Sequence, residues 1–307
     1  MSKLKSIIKF VANEEYRFRI LCARGVYNHL SDADFLKKKY NAVFEKTLDL
    51  KNPKTFNEKL QWLKLYYKNK IYTTMVDKYE VKDFVSKKIG EEYVIPAIGV
   101  WDKFEDIDFD ALPEQFVLKC THDSGGLVIC KNKAELDIEV ARKKIRKSLE
   151  HNYYLNSREY PYKNVPPRIL AELFISDNSE HQKDRSLVVY KVMCFGGVPK
   201  IIQVIQDDKK PNESIDYFDS DWNLLPIKQN FPNSKNHIEK PEKLSEMLEL
   251  SAKLSDGMPF VRTDWYIVEG KLLFSEYTFY SDAGFARFEP AEWDYKLGEW
   301  IDLPQEN

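Results

Sequence analysis

Charged and hydroxyl side chains interrupt two consecutive apolar segments near the end of the chain. Arg262 and Asp264 lie in the first segment, and Glu276 and Thr278 lie in the second. Both segments are rich in β-branched and aromatic residues, and the turn between them contains Gly270, so the pattern predicts a β-hairpin. Because side chains alternate along a strand, Arg262 and Asp264 share one face of the first strand, as Glu276 and Thr278 do in the second.

The register of this hairpin decides which of these side chains meet. A strict two-residue turn sets Asp264 opposite Ser275, whereas a three-residue connection with a glycine bulge sets Asp264 opposite Glu276 and Arg262 opposite Thr278. We expect the second register. Two carboxylates at cross-strand distance repel each other unless a positive group lies between them, and a hard divalent cation is the expected occupant. The alternative is a surface hairpin with solvated charges, which the apolar neighbours argue against.

A glycine-containing loop joins two apolar strands in the first half of the chain. Lys119 lies inside the first strand, and Ser124, Gly125 and Gly126 follow it. An unpaired ammonium in a strand interior is costly, so we expect Lys119 to hold an anionic partner. Consecutive glycines let backbone N–H groups approach a phosphate, although a Ser-Gly-Gly sequence is also typical of an ordinary hairpin turn. The loop is not a Walker A motif, which needs GK[ST] at the start of a helix.

Four more charged side chains are candidates for a binding site. Glu172 lies in an apolar strand, where it is either a satisfied core carboxylate or a neighbour of strand-edge backbone that holds an adenine. Lys191 lies inside the first arm of a second predicted hairpin. Lys78 and Lys82 are four residues apart in a predicted helix, so their like charges share a face, which is unfavourable unless an anion lies between them. The alternative for these two lysines is a solvated helix surface.

The composition excludes several classes of protein. The chain has 307 residues, 43% of them hydrophobic, and its 47 lysines and arginines nearly balance 49 aspartates and glutamates. A nucleic-acid-binding domain would be basic, so we expect no nucleic-acid partner. The four scattered cysteines form no CxxC pair, which is typical of a reduced, cytoplasmic protein. No apolar run of about 18 residues and no signal peptide is present, so we expect neither a transmembrane segment nor export.

The N-terminal part has a helical pattern. Residues 1–11 form a short basic amphipathic segment that could lie on an anionic membrane surface as a peripheral contact or pack on its own domain. We expect the second arrangement, because amphipathic surface helices are the norm. Thr55 and Glu58 have the spacing of a capping box, which predicts a helix start.

Asp219 and Asp221 form a DxD motif, the pattern with which many glycosyltransferases hold a metal on a sugar nucleotide. Aspartate and serine are also frequent in turns, so we expect a turn here.

Several of these residues together resemble a known superfamily. Lys78, Lys119 before the Ser124–Gly126 loop, Glu172, Arg262, Asp264 and Glu276 resemble, in order and spacing, the ATP-grasp ligases over about residues 50–300. A closer resemblance is to the TupA-like branch, which is associated with bacterial surface-polysaccharide biosynthesis. The strings that carry it are NPKTFNEK at 52–59, DKY at 77–79, FVLK at 116–119 and CFGG at 194–197.

This resemblance implies an α+β protein with the ATP-grasp fold, in which two α+β subdomains grip ATP, preceded by an α-helical N-terminal segment. We place the helical segment at residues 1–75. The subdomain with the phosphate-covering glycine loop is placed at 76–165. The subdomain with the adenine strand and the metal-binding hairpin is placed at 166–307.

The resemblance also implies a role for each site residue. The phosphates of ATP would be met or covered by Lys78, Lys119, Ser124, Gly125 and Gly126. The adenine would be lined by Glu172, Leu173, Phe174 and Ile175. Mg²⁺ would be held by Asp264, Glu276 and Thr278. The catalytic pair would be Arg262, which stabilises the transferring phosphoryl group, and Lys191, which reaches the nucleotide or the acyl phosphate.

The sequence departs from the family pattern in three places. Thr278 stands where many ATP-grasp enzymes have asparagine as a metal ligand. Val189 precedes Tyr190, whereas the branch often has an acidic residue there. Helices replace the usual α/β N-terminal domain, so the acceptor site does not follow from better-known ligases.

The implied function is an ATP-dependent carboxylate-amine ligase that works through an acyl phosphate with ATP and Mg²⁺. It would join an amino acid or amine to a uronic-acid sugar of a capsule or O-antigen precursor. Aromatic side chains near the predicted hairpin suit stacking on sugar faces, although core packing explains most of them; they are Tyr277, Phe279, Tyr280 and Phe285. The alternatives are a glycosyltransferase that uses Asp219 and Asp221, and a degenerate nucleotide-binding module.

Overall fold

The structure is a computed structural model that describes residues 3–177, 186–208 and 210–305. Its helices are α1 Lys3–Ala12, α2 Glu14–Ala23, α3 Asp32–Phe44, α4 Phe56–Tyr66, α5 Ile71–Val76, α6 Glu80–Ile89, α7 Ile138–Leu149, α8 Tyr154–Ser157, α9 Leu244–Ser255 and α10 Glu292–Glu299. Its strands are β1 Ala97–Trp101, β2 Phe116–Cys120, β3 Leu127–Cys130, β4 Ile169–Leu173, β5 Val189–Phe195, β6 Val198–Gln206, β7 Ser214–Asp219, β8 Leu224–Leu225, β9 Phe260–Val268 and β10 Lys271–Thr278.

Helices α1 to α6 are the regular elements between residues 3 and 89, which agrees with the predicted helical N-terminal segment. The predicted capping box begins α4: the Thr55 hydroxyl accepts the N–H of Glu58 at 3.2 Å, and the Glu58 carboxylate accepts the N–H of Thr55 at 3.0 Å. Helix α4 packs against the sheet that contains strand β9, where the ring centre of Phe56 lies 4.9 Å from that of Phe260. Helix α4 therefore belongs to the core of that sheet, whereas Phe18 of α2 and Phe35 of α3 belong to a buried cluster of their own.

The apolar face of helix α1 is exposed, although we expected it to pack on the protein. Ile7, Ile8 and Val11 are exposed, so the expectation that this face packs on the domain is wrong for these three side chains. Instead, the guanidinium of Arg17 in α2 donates to the carbonyl of Val11 at 2.9 Å and thereby joins the two helices at their backbones.

Four antiparallel strands form the first sheet, in the order β1-β4-β2-β3. Helix α7 packs on it through Ala141 and Ile145, which belong to the same buried cluster as Phe116 and Leu118. Strand β4 lies inside this sheet, next to β2. The sequence division at residue 165 grouped this strand with the C-terminal hairpin, whereas its hydrogen bonds join it to residues 97–130.

Six antiparallel strands form the second sheet, in the order β10-β9-β5-β6-β7-β8. Helix α9 covers one face, and its Ser251 hydroxyl accepts the indole N–H of Trp265 at 3.0 Å. Two antiparallel sheets with their helices packed on the faces form an α+β architecture, which confirms the predicted fold class. None of the helices in the described part of the chain has the length and apolar character needed to cross a membrane.

The β9–β10 hairpin has the expected partners and an unexpected connection. Asp264 lies opposite Glu276, and Arg262 lies opposite Thr278, as predicted. The turn is nevertheless the two-residue type, because Val268 pairs with Lys271. The extra residue that shifts the register is a bulge between Phe274 and Glu276, not a third turn residue.

Candidate active site

Arg262 and Asp264 form a buried ion pair on one face of β9. The guanidinium binds both carboxylate oxygens, with Nε to Oδ1 at 2.7 Å and Nη2 to Oδ2 at 2.8 Å. Arg262 also donates to the hydroxyls of Thr278 at 3.0 Å and Ser281 at 3.1 Å. Burial alone would lower the pKa of Arg262, but the Asp264 carboxylate outweighs burial and raises it above its ordinary value. The guanidinium is therefore fixed in place and fully charged.

Glu276 lies across the hairpin from Asp264 and is more accessible. Its side chain is 45% exposed, and the nearest guanidinium nitrogen of Arg262 is 4.0 Å away. Burial acts to raise the pKa of Glu276, yet the positive charges around it outweigh burial and lower the pKa below its ordinary value. These charges belong to Lys78, Arg262, Lys191 and Lys119. Lysines predicted from three separate segments are thus brought around one carboxylate.

Lys191 joins the same group because β5 lies beside β9. It is the cross-strand neighbour of Asp264, and its ammonium lies 3.7 Å from Asp264 Oδ2. On its other side Lys191 pairs with Gln203 of β6. Cross-strand neighbours point to the same face of a sheet, so Gln203, Lys191, Asp264 and Glu276 form a polar row across four strands. Sequence reasoning missed Gln203, whose amide donates to the Tyr217 hydroxyl at 3.1 Å.

The three predicted metal ligands lie together, and the positive group that the facing carboxylates were expected to need is present in the protein itself. A positive group already neutralises Asp264, and it is the Arg262 guanidinium. Thr278 likewise accepts a hydrogen bond from Arg262. Within residues 3–177, 186–208 and 210–305, no group of three or more His, Cys, Asp or Glu side chains could hold a metal ion by itself. Two carboxylates and a hydroxyl fit Mg²⁺ when phosphate oxygens complete its coordination shell.

Lys78 lies between helices α5 and α6 and reaches the glycine loop. Its ammonium donates to the carbonyl of Asp123, and its backbone N–H donates to the carbonyl of Thr121 at 3.2 Å. Asp77 fixes this turn, because its carboxylate accepts the N–H of Tyr79 at 2.8 Å and the guanidinium of Arg168 at 2.7 Å. Lys78 is thereby held beside the loop that follows β2.

The glycine loop is built differently from the expected phosphate cradle. The N–H of Gly126 donates to the Asp123 carboxylate at 3.1 Å. A Cβ on Gly126 would lie 2.7 Å from the Cβ of Cys120, so a glycine is needed there for packing. A Cβ on Gly125 would have space, because its only close neighbour would be the Asp123 carboxylate at 3.5 Å. Ser124 is exposed, and its hydroxyl donates to the Tyr153 hydroxyl at 3.3 Å. The exposed part of the loop is therefore Ser124 and Gly125.

Glu172 binds two lysines. One carboxylate oxygen pairs with Lys82 at 2.5 Å, and the other pairs with Lys119. Lys82 also donates to the carbonyl of Ile95 at 2.6 Å. Burial acts to raise the pKa of Glu172, but Lys119 and Lys82 outweigh burial and lower it. Glu172 is thus the anionic partner that the sequence predicted for Lys119, and Lys82, left open as a solvated lysine, is part of the group.

The predicted adenine segment continues from Glu172 along the end of β4. Leu173 is exposed, and its N–H donates to the carbonyl of Pro96 at 3.1 Å. Phe174 and Ile175 are half-buried, and the Lys131 ammonium lies 5.9 Å from the ring centre of Phe174. This segment leaves the first sheet with its apolar side chains partly accessible.

Two tyrosines beside the site were missed by sequence reasoning. Tyr153 and Tyr162 are half-buried, and their rings pack edge to face with centroids 4.8 Å apart. Burial and the Glu159 carboxylate raise the pKa of Tyr162 well above its ordinary value, and the charges of Glu276 and Arg262 act on it more weakly. By contrast, three of the aromatic residues expected to stack on a sugar are buried in the core, so their rings are not accessible to a sugar. They are Tyr277, Phe279 and Tyr280.

The chain is similar in structure to solved ligases of low sequence identity. D-alanine–D-alanine ligase from Bacillus anthracis complexed with ATP is 16% identical, with a TM-score of 0.38, over 67% of this chain and 53% of that one. The corresponding ligase from Helicobacter pylori is 14% identical, with a TM-score of 0.38, over 74% and 61%. The ATP-grasp ligase PsnB complexed with a minimal precursor, Mg and ADP is 10% identical, with a TM-score of 0.37, over 84% and 65%.

The chain thus spans between 53% and 65% of the length of these three structures. Among proteins with curated function, none matches the sequence. A family model described as TupA-like ATP-grasp matches residues 58–302, which is most of the chain. The chain therefore belongs to the TupA-like ATP-grasp family.

Proposed function

We propose that the protein is an ATP-dependent carboxylate-amine ligase. It phosphorylates a carboxylate with ATP and then joins the acyl group to an amine. The acceptor acid is a uronic-acid sugar of a surface-polysaccharide precursor, and the amine belongs to an amino acid or a related compound. The reaction takes place in the cytoplasm, where ATP and such precursors are available.

One observation carries this proposal, namely the cations beside the two hairpin carboxylates: the Arg262 guanidinium lies 2.7 Å from Asp264 and 4.0 Å from Glu276, and the Lys191 ammonium lies 3.7 Å from Asp264. With Lys78, Lys82 and Lys119, five cations from separate elements lie in the site; they are held by Asp264, Glu276 and Glu172, and Asp282 also acts on Arg262. Such a group of ammonium and guanidinium side chains fits the oxygens of a phosphate chain. Because the cations come from separate elements of both sheets, a phosphate chain would bridge the two.

The chain's residues have distinct tasks in this proposal. Lys78 and Lys119 bind the phosphates, and Ser124 and Gly125 cover them. Leu173, Phe174 and Ile175 line the adenine. Asp264, Glu276 and Thr278 would hold Mg²⁺, which, when bound, neutralises charge on the phosphate oxygens. Arg262 is fixed by Asp264 and Ser281 and stabilises the transferring phosphoryl group, while Lys191 lies beside it and binds the same oxygens.

The reaction needs no covalent nucleophile from the protein. In the first step an acceptor carboxylate oxygen attacks the γ-phosphorus of ATP, and ADP leaves. In the second step the amine nitrogen attacks the acyl carbon of the acyl phosphate. The C–O bond to phosphate then breaks, inorganic phosphate leaves, and the nitrogen loses a proton. Burial raises the pKa of Cys120 to about 11 and that of Cys194 to about 12, so neither thiol is ionised near neutral pH. The enzyme contributes positioning and charge neutralisation.

The acceptor binds on the side of the site that Tyr153 and Tyr162 line. The two rings are half-buried and pack on each other, and the Tyr153 hydroxyl accepts a hydrogen bond from Ser124 of the glycine loop at 3.3 Å. Aromatic faces bind the apolar faces of sugar rings, and phenol hydroxyls bind their polar edges.

A screen of uronic-acid glycosides against amino acids, read as Mg²⁺-dependent ADP release, tests the function. We expect ADP release only when both an acid and an amine are present, together with one new amide product. Thermal stabilisation by UDP-sugars but not by adenine nucleotides would overturn the proposal and favour a glycosyltransferase. In the structure, the Asp219 carboxylate of the DxD motif accepts the N–H groups of Asp221 at 3.0 Å and Asn223 at 2.8 Å, as expected for a turn.

A further inference from the structure

Helix α1 presents an uncovered apolar face to solvent. Ile7, Ile8 and Val11 are 61%, 58% and 70% exposed. Residues at i, i+1 and i+4 of a helix lie on one side, so these three side chains form one continuous apolar face. Exposed apolar residues are ordinary when scattered singly, but a contiguous group on one helix face is typical of an interaction site.

Basic residues are concentrated in the two helices that carry and adjoin this face. Residues 1–24 contain six lysines and arginines and two glutamates, whereas the whole chain has a formal net charge of −2. Helix α1 itself contains no acidic residue. The Lys9 ammonium and the Arg19 guanidinium lie over the ring of Tyr16, at 5.0 and 5.3 Å from its centre. The N-terminal helices are therefore a basic region in an otherwise acidic protein.

We propose that α1, together with the start of α2, binds the surface of a membrane that contains anionic lipid. The helix lies in the plane of the interface, with Ile7, Ile8 and Val11 among the acyl chains and the basic side chains against lipid phosphates. This combination of an apolar face with lysines and few acids is the pattern of interfacial helices. Anionic lipid attracts each nearby lysine or arginine.

The charge distribution favours a membrane over a second copy of the chain. Two copies that paired through their α1 faces would bring two basic regions together, and the resulting repulsion opposes association. An anionic lipid surface instead attracts the excess of basic residues in α1 and α2. The arrangement holds the enzyme at a membrane whatever its substrate is, so it is independent of the proposed ligase activity.

Sedimentation of the full chain with lipid vesicles tests this inference. We expect binding to phosphatidylcholine vesicles that contain phosphatidylglycerol, weak or no binding to phosphatidylcholine alone, and a loss of binding as salt rises. The double variant Ile7→Ser with Val11→Ser should lower the partition coefficient at least about tenfold, because both apolar side chains enter the interface. Lys5→Gln or Lys9→Gln should lower it by about fivefold each.

Val140→Ser is the matched control, because Val140 is 62% exposed on helix α7, which is also rich in lysine and arginine but lies outside the N-terminal helices. This variant should bind vesicles like the native chain, and the melting temperatures of all variants should agree. The inference is overturned if the native chain does not bind anionic vesicles, binds both vesicle types equally, or binds unchanged after the double substitution. A dimer in solution that the double substitution dissociates, without vesicle binding, would assign the face to a second copy instead.

Discussion

The Arg262 guanidinium binds both carboxylate oxygens of Asp264, at 2.7 and 2.8 Å. This ion pair weakens the binding of a metal ion to Asp264 as long as no nucleotide is bound. A metal ion that bound Asp264 alone would have to displace a buried, doubly hydrogen-bonded cation and would meet further positive charge from Lys191, 3.7 Å from the same carboxylate. We therefore infer that Mg²⁺ and ATP bind together.

The order of binding gives the first prediction. Millimolar Mg²⁺ without nucleotide should leave the melting temperature nearly unchanged, whereas ATP with Mg²⁺ should raise it, because a ligand that binds only the native state stabilises it by RT ln(1 + [L]/Kd). Thermal melts with Mg²⁺, with ATP and EDTA, and with both ligands make the comparison. Stabilisation by Mg²⁺ alone that equals the effect of both would contradict the inferred order.

The second prediction concerns Lys119. Lys119→Ala should weaken ATP binding about tenfold or more, because a hydrogen bond to a charged group is worth about 1.5–3 kcal/mol. Glu172 keeps Lys82 as a partner in this variant, so the fold should persist. Titration calorimetry with ATP and Mg²⁺ measures the affinity. Lys143→Ala on the exposed face of α7 is the control; equal affinities for the two variants would remove Lys119 from the site.

The third prediction separates the two glycines of the loop. Gly126→Ala should lower the free energy of unfolding by about 1–3 kcal/mol, because its Cβ would lie 2.7 Å from the buried Cβ of Cys120. Gly125→Ala should leave the stability nearly unchanged, since a Cβ there meets only the Asp123 carboxylate at 3.5 Å. Urea unfolding of the two variants and the native chain measures these free energies of unfolding. If Gly125→Ala were the more destabilising change, the packing role of Gly126 would be wrong.

The sequence predicted the members of the hairpin group correctly because strand alternation is local. The bulge at residue 275 was missed, since a bulge and a longer turn produce the same pairing of Asp264 with Glu276. The membership of β4 in the first sheet was also missed. It depends on long-range pairing with β1 and β2, which no local pattern reports.

Lys82 shows the same limit at the level of one side chain. Its helical spacing from Lys78 fits a solvated surface as well as a buried ion pair. Only the tertiary structure brings Lys82 to Glu172, which is 90 residues further along the chain. Gln203, Tyr153 and Tyr162 were missed for a similar reason, because neutral residues in apolar or loop segments carry no local signal of a site.

The last prediction contrasts the two carboxylates of the hairpin. Glu276 is 45% exposed and lies 4.0 Å from the nearest guanidinium nitrogen, whereas Asp264 is buried and doubly bonded to Arg262. Glu276→Gln should therefore change the stability of the ligand-free protein by less than about 1 kcal/mol. Asp264→Asn leaves the Arg262 charge buried without its counter-ion and should cost about 3–5 kcal/mol.

Function should respond in a different pattern from stability. Glu276→Gln should lower the affinity for ATP with Mg²⁺ and the rate of Mg²⁺-dependent ADP release together, because one metal-facing charge is lost while the fold remains intact. Melts of the ligand-free variants, together with calorimetry and ADP release, test both parts. If the carboxylates repelled each other, either substitution would raise the melting temperature of the ligand-free protein. An increase in both variants would show that Arg262 does not neutralise the pair, and full ADP release by Glu276→Gln would exclude this carboxylate from the metal site.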